Sequence, residues 1–122
     1  MPKTARYFKD AEFRRCVPSC SIEDMQQHTL NRFDKAREYA GVPFIFTSAF
    51  RSREWELAKG RTGDGSHTTG EAGDIRTPDL YTRYRVLYGL IKAGFTRIGI
   101  ADTYIHADDC PRKAKEVVWL YK

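Results

Sequence analysis

The run His67-Thr68-Thr69-Gly70-Glu71-Ala72-Gly73-Asp74, with His106-Ala107-Asp108 further along, holds the donors of a metal site. Two imidazoles and a carboxylate, His67, His106 and Asp74, are the three-ligand set of a catalytic zinc centre, whose fourth position stays open for water. The spacing sets a condition. His67 and Asp74 meet only if the residues between them fold back, and Gly70 and Gly73 permit that reversal. Ala72 is small, as expected beside a crowded ion. In the second segment, strand alternation sends Tyr104, His106 and Asp108 to one face and Ile105 and Ala107 to the other. Taken singly, His67 could be a loop histidine, Asp74 a turn residue and His106 a core imidazole. The combined pattern arises by chance in roughly one chain of this length in a thousand, which favours the metal reading. His28 lies inside a helical stretch with no partner motif and reads as structural or surface.

Elements must carry these groups to one place. Asp10 caps a short turn that the Val17-Pro18 step ends. Ser21 then caps a longer helix with Glu23 and Asp24 in its first turn, an apolar face of Ile22, Met25, Thr29, Phe33, Ala36 and Ala40, and a stop at Gly41. Residues 43–48 are aromatic and β-branched and predict a buried strand. Ser52 caps a short helix that Gly60 ends, and a glycine-rich loop leads into His67. Residues 72–76 predict a strand. Thr77 before Pro78 starts another helix, with Leu80, Tyr84, Leu87 and Ile91 as its apolar stripe. Residues 95–100, 104–107 and 117–121 supply three more strands. The expected fold is α+β, with helices packed on a small, mainly antiparallel sheet.

At 122 residues the chain suits one domain and one core. Its longest apolar run falls far short of the roughly 20 residues that cross a bilayer, and its basic, polar start predicts no secretory signal. The net charge of +5 favours an anionic partner such as nucleic acid, a teichoic-acid-bearing wall or an acidic peptide, or else a solvated basic surface. Nucleic acid is not the expected partner, because no helix rich in Arg and Asn is present. Cys16, Cys20 and Cys110 are an odd set and cannot all pair internally; Cys16 and Cys20 could join or contribute to a second metal site, but free thiols and a cytosolic origin are the expectation.

These residues together resemble the zinc D-Ala-D-Ala carboxypeptidase family, which shares its fold with the hedgehog signalling domain. The likeness rests on His67, Gly70, Ala72 and Asp74, preceded by Thr47-Ser48-Ala49-Phe50-Arg51-Ser52 and followed by Ile98-Gly99-Ile100 and Tyr104-Ile105-His106-Ala107-Asp108. It covers nearly the whole chain and points to small single-domain members of phages and bacteria, whose start reads like Tyr7-Phe8-Lys9-Asp10-Ala11-Glu12-Phe13. The resemblance implies a hedgehog/DD-peptidase-like fold over residues 1–122 as a single zinc peptidase domain, with Zn2+ held by His67, Asp74 and His106. It implies that Arg51 stabilises an oxyanion or holds substrate. Ala49 and Phe50 replace the family's Gly and Tyr, and Ser66 stands one place off the usual serine. Where many members carry Glu or Asp three residues before the last histidine, this chain has Thr103. The general base then falls to Asp108 or Asp102. Asp108 is favoured, because it shares His106's face and matches the His-x-Asp ending of the small members. Its alternative role is to accept a proton from a ligand imidazole and fix the tautomer.

The expected function is a zinc-dependent peptidase that hydrolyses an amide in the peptidoglycan stem peptide, as a D-Ala-D-Ala carboxypeptidase or an endolysin-like endopeptidase. Arg53, Arg61, Arg76 and Arg112 could draw in an acidic substrate or simply be solvated. A monomer is expected, made in the cytoplasm and reaching the wall by lysis, a holin or a virion. The alternative is a metal-binding structural or virion-associated module that has lost hydrolysis, which Thr103 keeps open.

Overall fold

The computed structural model describes residues 3–13, 21–49, 57–60 and 65–121. Five strands, β1 (Phe46–Ser48), β2 (Ala72–Arg76), β3 (Arg97–Ile100), β4 (Tyr104–Asp108) and β5 (Val117–Leu120), form one sheet in the order β1-β2-β4-β3-β5. Every pairing is antiparallel except that of β3 with β5. Among the described residues, two long helices, α1 (Gln27–Ala40) and α2 (Leu80–Lys92), complete an α+β arrangement with a mainly antiparallel sheet, as the alternating patterns predict. The sheet contributes Phe46, Ile75, Ile98, Ile105 and Ala107 to the core, and the helices contribute Leu30, Phe33, Ala36, Val86 and Leu90. Each large apolar side chain buried there stabilises the fold by about 1.5–3 kcal/mol. Phe46 is the hub, with the rings of Phe8, Phe13 and Phe33 centred 4.8, 5.5 and 5.1 Å from its own.

Four local expectations change. The long helix expected from Ser21 is divided: Ser21 and Asp24 form a capping box on a 3-10 turn (Ile22–Asp24), Met25 and Gln26 are extended, and α1 starts at Gln27. The break has a cause, since the Gln26 backbone donates to the Gly70 carbonyl (2.9 Å) and its side chain to that of Thr69 (3.1 Å). Gly41 ends α1 with φ of 70°, as expected.

The cap of α2 is Asp79, which accepts from the Thr82 backbone at 2.7 Å, in place of Thr77. Of its predicted stripe, Leu80 (80% exposed), Tyr84 (65%) and Ile91 (56%) face outward and Leu87 packs partly buried against the core, while Val86, Gly89 and Leu90 are buried. Close helix packing decides the face. A Cβ at position 89 would lie 2.4 Å from the Ala36 carbonyl and 2.8 Å from Ala40, so α1 meets α2 where the latter has no side chain. The strand expected over residues 43–48 pairs only from Phe46, although the Ile45 carbonyl accepts from Arg76 at 2.8 Å. The helix expected after Ser52 lies mostly outside the described residues. Among those described, no helix is long and apolar enough to cross a membrane.

Candidate metal centre

Asp74 and His106 face each other across β2 and β4. Ile75, Ile105 and Ala107 turn to the helices, so strand alternation puts Asp74, His106 and Asp108 on the opposite face of the sheet. His67 arrives from a tight turn at residues 66–70, closed by the Thr68 hydroxyl on the Gly65 carbonyl (2.6 Å) and the Thr69 hydroxyl on that of Ser66 (3.0 Å). Gly70 has φ of 76° and lies so close to the 3-10 turn that a Cβ would come 2.2 Å from the Asp24 carbonyl. Only glycine suits that position. Gly73 differs from expectation: it is a strand residue pressed against Phe46 and Phe33, and the reversal is made at Gly70 alone.

All three candidate ligands are buried. His106 Nδ1 lies 2.9 Å from Asp74 Oδ1, His67 Nε2 lies 3.3 Å from that oxygen, and the two nitrogens are 3.2 Å apart. Tetrahedral ligands at 2.0–2.1 Å from zinc stand about 3.3 Å from one another. The outer nitrogens settle the tautomers: His67 Nδ1 donates to the Ala49 carbonyl, and His106 Nε2 donates to Asp108 Oδ2 at 2.7 Å. In the neutral imidazoles the inward nitrogens then carry lone pairs. Three acceptors converge without a proton among them, which suits a cation.

Without a cation, protons do the same work. Burial works against the charged form of Asp74, but hydrogen bonds and charge from His106 and His67 outweigh it and hold the carboxyl far below the usual range. Burial likewise opposes charge on His106, yet the bonds to Asp108 and Asp74 raise its pKa. For Asp108, burial is again overcome, by His106 and Arg97, and the pKa falls.

Asp108 does not face the converging atoms. Its Oδ2 meets the far nitrogen of His106, and its Oδ1 accepts from Arg97 Nε at 2.8 Å. Asp102 is exposed in the turn between β3 and β4, where its carbonyl accepts from Arg83 at 2.6 Å. Arg51, Arg53, Arg61, Cys16 and Cys20 lie outside the described residues. Arg76 is exposed at the end of β2, Arg112 pairs with Glu71 at 2.6 Å, and Cys110 is a buried free thiol. His28 is exposed near the start of α1, with Nδ1 3.0 Å from Asp109 and Nε2 3.6 Å from Glu71. Both its nitrogens face carboxylates, and Arg32 and Arg112 reach those same carboxylates. His28, Glu71 and Asp109 lie close enough to share an ion, but this cluster is more exposed than the first and its carboxylates are already paired with Arg32 and Arg112. Sequence reasoning missed the Ala49 carbonyl, Arg97 and Trp119, whose ring is centred 5.5 Å from that of His106. The one available signal was Gly99, a glycine inside a strand, which marks a close approach.

The model of a family described as peptidase M15 matches residues 6–108 of this chain. No curated protein matches it.

Proposed function

This chain belongs to the peptidase M15 family, and from that premise we propose that it is a zinc-dependent peptidase cutting an amide of the peptidoglycan stem peptide. The observation that carries the proposal is the convergence of His67 Nε2, His106 Nδ1 and Asp74 Oδ1 within 2.9–3.3 Å of one another. When bound, zinc supplies a lowered water pKa and a Lewis acid for the scissile carbonyl. The protein's part is to hold two neutral imidazoles and one carboxylate, a set that leaves the site a residual positive charge. The Ala49 carbonyl fixes the tautomer of His67, and Asp108 fixes that of His106. Arg51 is assigned to the oxyanion or a substrate carboxylate, for which its planar fork is suited.

Asp108 has both oxygens engaged, so we assign it to orienting His106 and not to proton transfer with substrate. The wider reading is of a small phage or bacterial member, with residues 1–122 as one domain, delivered to the wall by lysis, a holin or a virion. A charge of +5 suits an anionic wall.

The placement of Asp108 behind His106 also favours a second reading, a metal-binding module without hydrolysis. Incubating zinc-loaded protein with muropeptides, with mass spectrometry of the products, separates the two. Cleavage of a stem-peptide bond supports the peptidase. Stoichiometric zinc with every stem bond intact assigns the second reading, and failure to bind zinc removes both.

A further inference from the structure

Arg97 stands opposite Asp108 in the register of β3 and β4. Its side chain is only 14% exposed, and its guanidinium makes three contacts at once. Nε donates to Asp108 Oδ1 at 2.8 Å, Nη1 donates to the Ala114 carbonyl at 2.6 Å, and the central carbon lies 5.2 Å from the centre of the Trp119 ring. Asp108 and Trp119 are the groups that grip His106, one at Nε2 (2.7 Å) and one against its ring (5.5 Å between centres). Gly99 makes the second grip possible. It is paired with His106 on one side and Trp119 on the other, and a Cβ there would come 2.4 Å from the indole nitrogen. Because that side chain is missing, the indole crosses β3 to meet the imidazole.

We propose that Arg97 is a positioning residue for His106: it holds the carboxylate and the indole that fix the imidazole, so that Nδ1 is aimed at the metal. This rests on the reading of His67, Asp74 and His106 as metal ligands. Groups behind a ligand histidine change metal affinity by about 10–100-fold when removed. Lysine can replace arginine only in part, since a single ammonium on a flexible stem keeps the charge but lacks the fork that joins Asp108 to Ala114. Arg97 acts mainly through Asp108 and in part through Trp119, so its effect belongs to those contacts and is not a general loss of stability.

The test measures zinc affinity of the full chain by competition with a chelator, together with the visible spectrum of the cobalt-loaded form. Wild type, Arg97→Gln, Arg97→Lys, Asp108→Asn and the Arg97→Gln/Asp108→Asn double variant are compared. Arg97→Gln is expected to weaken zinc binding by about 10–100-fold and to shift the cobalt spectrum, with Arg97→Lys recovering part of the affinity. In the Asp108→Asn background, Arg97→Gln is expected to weaken affinity by less than it does in wild type, because the charged partner is gone and mainly the indole contact remains. If Arg97→Gln does not fold, Arg97→Lys carries the comparison with the same sign. A wild-type chain that binds no zinc overturns the metal reading itself. A wild type that binds zinc while the Arg97 variants bind it equally well, or an undiminished Arg97 effect in the Asp108→Asn background, overturns the role of Arg97 alone.

Discussion

Gly73→Ala tests the packing that holds the Asp74 strand. A Cβ at position 73 would stand 2.6 Å from Phe46 Cε1 and 2.9 Å from Phe33 Cζ. Carbon atoms in contact prefer about 3.5–4.0 Å, so the overlap is about 1 Å. The two rings meet edge to face at 5.1 Å and are buried, so neither has room to retreat. Alanine in an open strand would stabilise by roughly 0.5–1 kcal/mol relative to glycine, whereas overpacking costs about 1–3 kcal/mol. The expected net result is a loss of roughly 0.5–2 kcal/mol, or about 2–8 °C in melting temperature at this chain length. Urea titration of the metal-free protein should show a lower midpoint at unchanged slope, and zinc affinity should fall because Asp74 moves with the strand. Trimming the obstacle should restore the balance: in a Phe46→Leu background, Gly73→Ala should cost less. Gly73→Ala that raises stability, or whose cost is the same in both backgrounds, refutes the packing argument.

The remaining predictions concern the site and one cap. His67→Ala should abolish stoichiometric zinc binding, while Asp108→Asn should still bind zinc about 10–100-fold more weakly and Asp102→Asn should match wild type, all readable by chelator competition. The metal-free protein should lose stability as pH rises. The pKa of His106 is raised on folding, so its contribution is complete below its ordinary value of 6.5 and disappears as pH climbs through the folded value. Asp74, with its pKa depressed, keeps its contribution above its ordinary value of 3.8 and loses it only in acid. Zinc displaces protons from its ligands and should reverse the trend above neutrality; unfolding curves at about pH 5, 7 and 9 with and without zinc check this, and a flat metal-free profile would count against it. Asp79→Ala should lower the melting temperature at neutral pH, and the difference should vanish as pH falls below the ordinary aspartate range, since the cap holds that pKa down.

Strand alternation was enough to read β2 and β4 and to place His106 and Asp108 on the face away from Ile105 and Ala107, because that pattern is local. The face of α2 was misread at three of four positions because Leu80, Tyr84 and Ile91 compete with Val86 and Leu90 as apolar residues, while Leu87 does pack against the core. Only the meeting of Gly89 with Ala36 and Ala40 chooses between them, and that contact joins distant parts of the chain. The division at Met25 and Gln26 was hidden for the same reason, since its partners Thr69 and Gly70 lie far along the sequence. Within the site, the donor atoms were legible as residue types, whereas the roles of Asp108 and Arg97 depend on which imidazole nitrogen each element reaches. Residue identity and spacing do not carry that information.

The bonds from Gln26 to Thr69 and Gly70 couple the metal site to a distant part of the chain. The turn bearing His67 is braced by backbone from the other half of the chain, so His67 takes its place only after that long loop has closed. Closing that loop costs chain entropy. Metal binding by all three donors requires the closed loop, so a bound ion stabilises the join between the 3-10 turn and the His67 turn as well as its own site.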